Sequence, residues 1–193
     1  LNYLAHCFLS CSTEEIIIGN FIADSINRRS SLTFSPGITK GIELHKKIDS
    51  STDNHPRVKE AVLMLREKHG KYAPVVTDII WDYYLANNWS LYANESLEDF
   101  TIRTYNIFRK YKSQMPARMS KNIDSMIAED FLLRYRTLEG LKISFAYMDR
   151  RTKFPSNFVG AIDDIEEHHE TFNTLFKAFF PDLIALADME CNC

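Results

Sequence analysis

No stretch of this sequence approaches the roughly 18–20 consecutive apolar residues of a membrane-spanning helix, so nothing in it reads as a helical membrane anchor. Cysteine is scarce, at four in 193 residues, far below the density of a small disulfide-held secreted scaffold. The pairs Cys7/Cys11 and Cys191/Cys193 lack zinc-finger spacing, and a reduced, cytoplasmic protein is the expectation. Charge of one sign is not in excess: the formal net charge is −3, which argues against a nucleic-acid binder working through bulk electrostatics. The first twelve residues carry neither Lys nor Arg, and His6 interrupts their apolar run, which argues against a secretory signal. Glycine and proline number six each and fall between periodic blocks. Strand-like alternation is nearly missing, and no internal repeat is visible.

What is present is an ordinary globular balance, 45% hydrophobic and 25% charged, enough for one domain over 1–193 with a sizeable core. Apolar residues recur at helical spacing. Glu14 to Ile26 reads as a helix behind Ser12 and Thr13, and a second starts at Pro36 and runs to about Ser51. Asn54-His55-Pro56 opens a third that ends at Gly70, and Pro74 begins a fourth through Val75, Val76, Ile79, Ile80, Tyr83 and Tyr84. Leu97, Phe100, Thr104, Phe108 and Tyr111 step by three and four, as do Leu138, Leu141, Phe145 and Met148. Ile162, Ile165, His169, Phe172, Phe176 and Phe179 form the last block, with Pro181 expected to break it. The expectation is an all-α single-domain helical bundle of about seven to nine helices.

Acidic and imidazole groups on apolar helices carry more information, because a buried charge is costly unless paired or coordinated. Asp24 ends the run Ile16 to Ala23. His45 and Asp49 lie four apart, on one helix face, with Asp53 a turn further on. Asp78 and Asp82 repeat the spacing in VVTDIIWDYYL, and His6 stands in an apolar segment. Carboxylates and imidazoles converging from several helices would make a divalent-metal site, and mixed N/O ligation suits Mn, Fe or Zn better than Ca. The plainer alternative stays open: Asp49 paired with Lys46, Asp53 capping the helix after Pro56, His45 as an interior imidazole. Glu166-x-x-His169 is the i, i+3 unit of di-iron bundles, but it occurs once where two are needed. A nucleophile built from Cys7 and His6 lacks an orienting third group. Basic residues cluster at Arg28-Arg29, Lys46-Lys47, Arg134-Tyr135-Arg136 and Arg150-Arg151-Thr152-Lys153. A solvated face accounts for most of them. Arg28, Arg29, Lys46 and Lys47 would also give an acidic metal centre a positive rim that suits a phosphorylated or acidic partner.

The stretches Asn2-Tyr3-Leu4-Ala5-His6, Gly19-Asn20-Phe21-Ile22-Ala23-Asp24 and Gly41-Ile42-Glu43-Leu44-His45-Lys46-Lys47-Ile48-Asp49 carry a family resemblance, joined by Thr52-Asp53-Asn54-His55-Pro56, Asp78-Ile79-Ile80-Trp81-Asp82-Tyr83-Tyr84-Leu85 and Trp89. In order and spacing the chain resembles the acyl carrier protein phosphodiesterases, a distant branch of the all-helical HD-type metal phosphohydrolases. The resemblance implies hydrolysis of the phosphodiester between 4′-phosphopantetheine and a serine of holo-acyl carrier protein, with Mn²⁺ as the usual metal. It implies His6, Asp24, His45 and Asp82 as metal ligands, and Asp49, Asp53 and Asp78 as ligands or neighbouring carboxylates. Asp24, Asp49 and Asp78 are the candidate catalytic groups, Asp49 or Asp78 orienting the attacking water or taking its proton. Arg28, Arg29, Lys46 and Lys47 are expected to meet the phosphate and the carrier protein. Three departures stand out: no His-Asp dipeptide occurs, Tyr83 stands where the family pattern has His, and the tail Cys191-Asn192-Cys193 matches nothing in it. Two other readings remain: a non-catalytic helical module binding a carrier protein or phosphorylated ligand, and an HD-like hydrolase of other phosphoesters.

Overall fold

The apolar-periodic blocks form helices whose ends follow local chemistry. The computed structural model describes residues 1–26, 33–150, 152 and 156–191. Helix α1 (Tyr3–Phe8) starts at Asn2, whose side chain accepts from the Tyr3 amide. Helix α2 (Glu14–Ile22) carries Glu14 and Glu15 in its first turn, where carboxylates complement the helix dipole, and passes into a 3₁₀ turn at Ala23–Ser25. Helix α3 (Pro36–Asn54) is capped by the Ser35 side chain and has proline in its first turn. Helix α4 (Pro56–His69) ends at Gly70, which has φ +52° and so favours glycine. Then come α5 (Ala73–Asn87), α6 (Leu97–Lys110), α7 (Ala117–Ala128), α8 (Leu138–Asp149), α9 (Ala161–Glu167) and α10 (His169–Cys191). No strand occurs among the described residues, so the architecture is all-α.

Helix α5 is buried on nearly every side from Ile79 to Ala86, which is why its sequence looks apolar all round. Trp81 and Tyr84 pack there against Phe172 and Phe176 of α10. Helices α2 and α3 touch backbone to backbone. A Cβ on Gly19 would sit 2.0 Å from the Ile38 carbonyl oxygen, and one on Gly41 would sit 2.3 Å from that of Ile16. That approach brings Asn20, beside Gly19, against His45.

Several expectations need correction. The helix expected to reach Ile26 stops at Ile22, and the one expected to end at Ser51 runs on to Asn54. His55, not Asp53, caps α4, its ring accepting from the Arg57 amide. Pro181 does not break α10, which continues to Cys191. Phe179, Phe180, Leu183 and Ala187 stay buried on either side of it, and this burial outweighs the single backbone hydrogen bond a proline forfeits. Cys7 and Cys191 are free thiols but Cys11 is disulfide-bonded, so the all-thiol expectation fails at that residue. Among the described residues no helix is long and apolar enough to cross a membrane.

Candidate metal centre

Three helices and a turn deliver five polar side chains to one point. His6 comes from α1, Asn20 from α2, Asp24 from the 3₁₀ turn, and His45 and Asp49 from successive turns of α3. The two imidazoles stack with centroids 4.0 Å apart. His6 Nε2 lies 3.2 Å from Asp49 Oδ1, and His45 Nε2 lies 3.1 Å from both Asp49 Oδ2 and Asp24 Oδ1. Behind the rings, Asn20 Oδ1 meets His6 Nδ1 at 2.7 Å and His45 Nδ1 at 3.1 Å. One donor atom each from His6, His45 and Asp49 fits within 4.8 Å of the others. Both histidines are buried, whereas the Asp24 side chain is 81% exposed.

The electrostatics follow from that geometry. Burial lowers the His6 imidazole to about 4, against the pull of Asp49 and helped by the neighbouring His45. Burial also works against a charged His45, but Asp24 and Asp49 outweigh it and raise this ring to about 9. The hydrogen bond from His45 holds the Asp24 carboxyl below its usual range. Asp49 is opposed by burial, yet the close approach of His45 and His6 keeps it strongly depressed. The buried His6 Nε2 makes no hydrogen bond, although it lies 3.2 Å from Asp49 Oδ1. Two ring nitrogens and two carboxylates facing one another fit a divalent cation of the Mn, Fe or Zn type.

Of the residues singled out in the sequence, His6, Asp24, His45 and Asp49 come together. Asp82 does not join them. It is fully buried and accepts from the amides of Leu4, Ala5 and Asn2 at 2.7, 3.2 and 3.3 Å. Its carboxylate therefore anchors the start of α1, and burial raises it to about 7 against those amides. Asp78 accepts from the amino group of Leu1 at 2.7 Å, with its carboxyl raised by burial. Asp53 is exposed and outside the cluster. Lys46 is exposed, and Lys47 pairs with Glu190 of α10, lining a separate 560 Å³ cavity with Lys40 and Glu43. Arg28 and Arg29, like Arg151 and Lys153, lie outside the described residues. Tyr83 packs near Tyr84 and His169, away from the cluster.

His6, Asn20, Asp24, His45 and Asp78 line a groove of about 1030 Å³ whose other walls include Arg118, Arg134 and Tyr147. Arg134 is held by Glu129 at 2.9 Å. Asn20 stands in a stretch that carries the family resemblance but has no expected site role, and Arg118 has none either, although a lone amide inside the apolar run Ile16 to Ala23 is itself a signal of a buried hydrogen-bonding role. Arg134 belongs to a basic cluster for which a solvated face is the plain expectation, yet it lines this groove.

A model of the acyl carrier protein phosphodiesterase family matches residues 1–183. Acyl carrier protein phosphodiesterases of Serratia proteamaculans and Yersinia enterocolitica are each 30% identical to this chain, and that of Pectobacterium atrosepticum is 29% identical. Each comparison covers 97% of this chain and 97% of the relative. No solved structure matches. With the family pattern running through the stretches that hold His6, Asn20, Asp24, His45 and Asp49, the chain belongs to the acyl carrier protein phosphodiesterase family.

Proposed function

We propose that this chain is a metal-dependent phosphodiesterase that releases 4′-phosphopantetheine from holo-acyl carrier protein, leaving apo-acyl carrier protein. One observation carries the metal dependence: two buried imidazoles and the Asp49 carboxylate converge within 4.8 Å. Both imidazoles also line a groove of about 1030 Å³. His6 and His45, through Nε2, and Asp49 would hold the ion, and Mn²⁺ is the one proposed. When bound, such an ion neutralises charge on phosphoryl oxygens and makes water a better nucleophile.

The overall reaction adds water across the phosphodiester. A bond forms from the water oxygen to phosphorus, the bond from phosphorus to the serine oxygen breaks, and that oxygen takes up a proton. Asp24 suits the role of proton acceptor, since its exposed carboxylate is held ionised by His45. Asp49 bridges both imidazoles and fixes their spacing. Arg118 and Arg134 on the groove wall replace Lys46 and Lys47 as the cations proposed to meet the phosphate and an acidic carrier protein. The reading puts the enzyme in the cytoplasm, in turnover of the prosthetic group of fatty-acid synthesis.

Intact mass spectrometry of holo-acyl carrier protein, incubated with metal-stripped enzyme with and without Mn²⁺, tests this. Loss of one phosphopantetheine only when Mn²⁺ is added is expected. No loss with any divalent metal would leave the binding-module reading in its place.

A further inference from the structure

The groups around Asn20 form a closed hydrogen-bond circuit whose polarity is fixed by chemistry. Asn20 Nδ2 lies 2.9 Å from the His6 carbonyl oxygen and 3.0 Å from Ser10 Oγ. A carbonyl oxygen only accepts, so the amide atom facing it must be the nitrogen. Ser10 Oγ donates to the same carbonyl at 2.7 Å, which leaves its lone pairs for the second Nδ2 hydrogen. The other amide atom is then Oδ1, which carries no hydrogen, and it faces His6 Nδ1 and His45 Nδ1 together. Both Nδ1 atoms must donate. Asn20, Ser10 and His6 are all buried, so no solvent competes for these bonds.

We infer that Asn20 is a positioning residue that holds the Nδ1–H of both His6 and His45, so that both Nε2 atoms face Asp49 and can give their lone pairs to one shared cation, which would displace the proton that His45 Nε2 otherwise donates to Asp24. The inference rests on the metal reading above only for what the lone pairs are used for. A neutral ring clamped this way has no proton on Nε2, which accounts for the buried His6 Nε2 that lies 3.2 Å from Asp49 and makes no hydrogen bond. Without the clamp, a proton on His6 Nε2 would bond to Asp49 and block the lone pair. A single side chain thus sets two ligands at once, an outer-shell role of the kind that orients metal-binding histidines.

Long-range ¹H–¹⁵N spectra of the imidazoles report which nitrogen carries the proton. In the metal-free wild-type protein the neutral His6 ring is expected as Nδ1–H. Asn20→Leu is expected to move it to Nε2–H and to weaken Zn²⁺ and Mn²⁺ binding by about 10–100-fold. Asn20→Asp, which keeps an acceptor for both rings, is expected to restore the Nδ1–H form. A wild-type His6 in the Nε2–H form overturns the inference, and this measurement needs no folded variant. So does a folded Asn20→Leu protein that keeps the Nδ1–H ring and wild-type affinity. The wild-type Nδ1–H form together with no binding of either ion would sustain the clamp and overturn the metal reading instead.

Discussion

Gly19→Ala puts the close contact between α2 and α3 to the test. The added Cβ would lie 2.0 Å from the Ile38 carbonyl oxygen and 2.9 Å from Gly41 Cα, both backbone atoms with no rotamer to yield. Relieving the shorter contact to about 3 Å, the lower edge of ordinary packing, moves the helices apart by about 1 Å. Asn20 Oδ1 and His45 Nδ1, now 3.1 Å apart, would then separate beyond hydrogen-bond reach. Overpacking costs about 1–3 kcal/mol, and a buried bond left unmade costs about 1–3 kcal/mol more. Alanine's better helix propensity returns about 1 kcal/mol. The net destabilisation is about 3 kcal/mol, which for a chain of this size lowers Tm by about 6–12 °C. Circular-dichroism melting in EDTA reads the shift, and a metal titration of the folded variant should show weaker binding. A variant that melts above wild type and binds metal normally would refute the reasoning, because only the propensity gain would then have been felt.

Other outcomes follow from the same geometry. Asp49→Asn should abolish stoichiometric Mn²⁺ or Zn²⁺ in equilibrium dialysis while the far-ultraviolet spectrum stays helical; a variant still loaded with metal would remove Asp49 from the site. Asp82→Asn should do the opposite, lowering Tm by weakening the carboxylate that receives three α1 amides while metal affinity stays within a few-fold; lost affinity at unchanged Tm would return Asp82 to the ligand set. In the metal-free protein His45, raised to about 9, gives stability that is complete below the unfolded value near 6.5 and lost as pH rises through 9. His6, lowered to about 4, costs stability as pH falls from 6.5 to 4, because there the unfolded chain binds the proton and the folded one does not. Denaturant titrations of the metal-free protein should therefore peak near pH 6.5, and a monotonic profile across 4–9 would contradict the two shifts. A cation must displace the His45 proton, so affinity should fall about tenfold per pH unit below 9, with one proton released in calorimetry in buffers of different ionisation enthalpy; affinity flat from pH 6 to 8 would count against His45 as a ligand.

The sequence by itself determined the class of fold and most of the pieces of the site. Apolar spacing of three and four defines helices whatever they pack against, so α3, α4, α5, α6 and α8 are legible in their own residues, whereas the single block expected from Ile162 to Phe179 is two helices, α9 ending at Glu167 and α10 starting at His169. His45 and Asp49 are four apart on one helix, and their shared face is a local fact. Which distant residues joined them was decided by tertiary structure. Asp82 has the same i, i+4 relation to Asp78, yet the packing of α5 under α1 turns it toward three backbone amides rather than the imidazoles. Lys47 lies two residues from His45 but points to Glu190, 143 residues away. Pro181 has the local chemistry of a helix breaker and is overruled by the burial of Phe179, Phe180 and Leu183. Asn20 became the hub because glycines on both α2 and α3 let the two backbones meet. Periodicity records which face of a helix is apolar, but the partner it meets there depends on long-range packing that no short window of sequence contains.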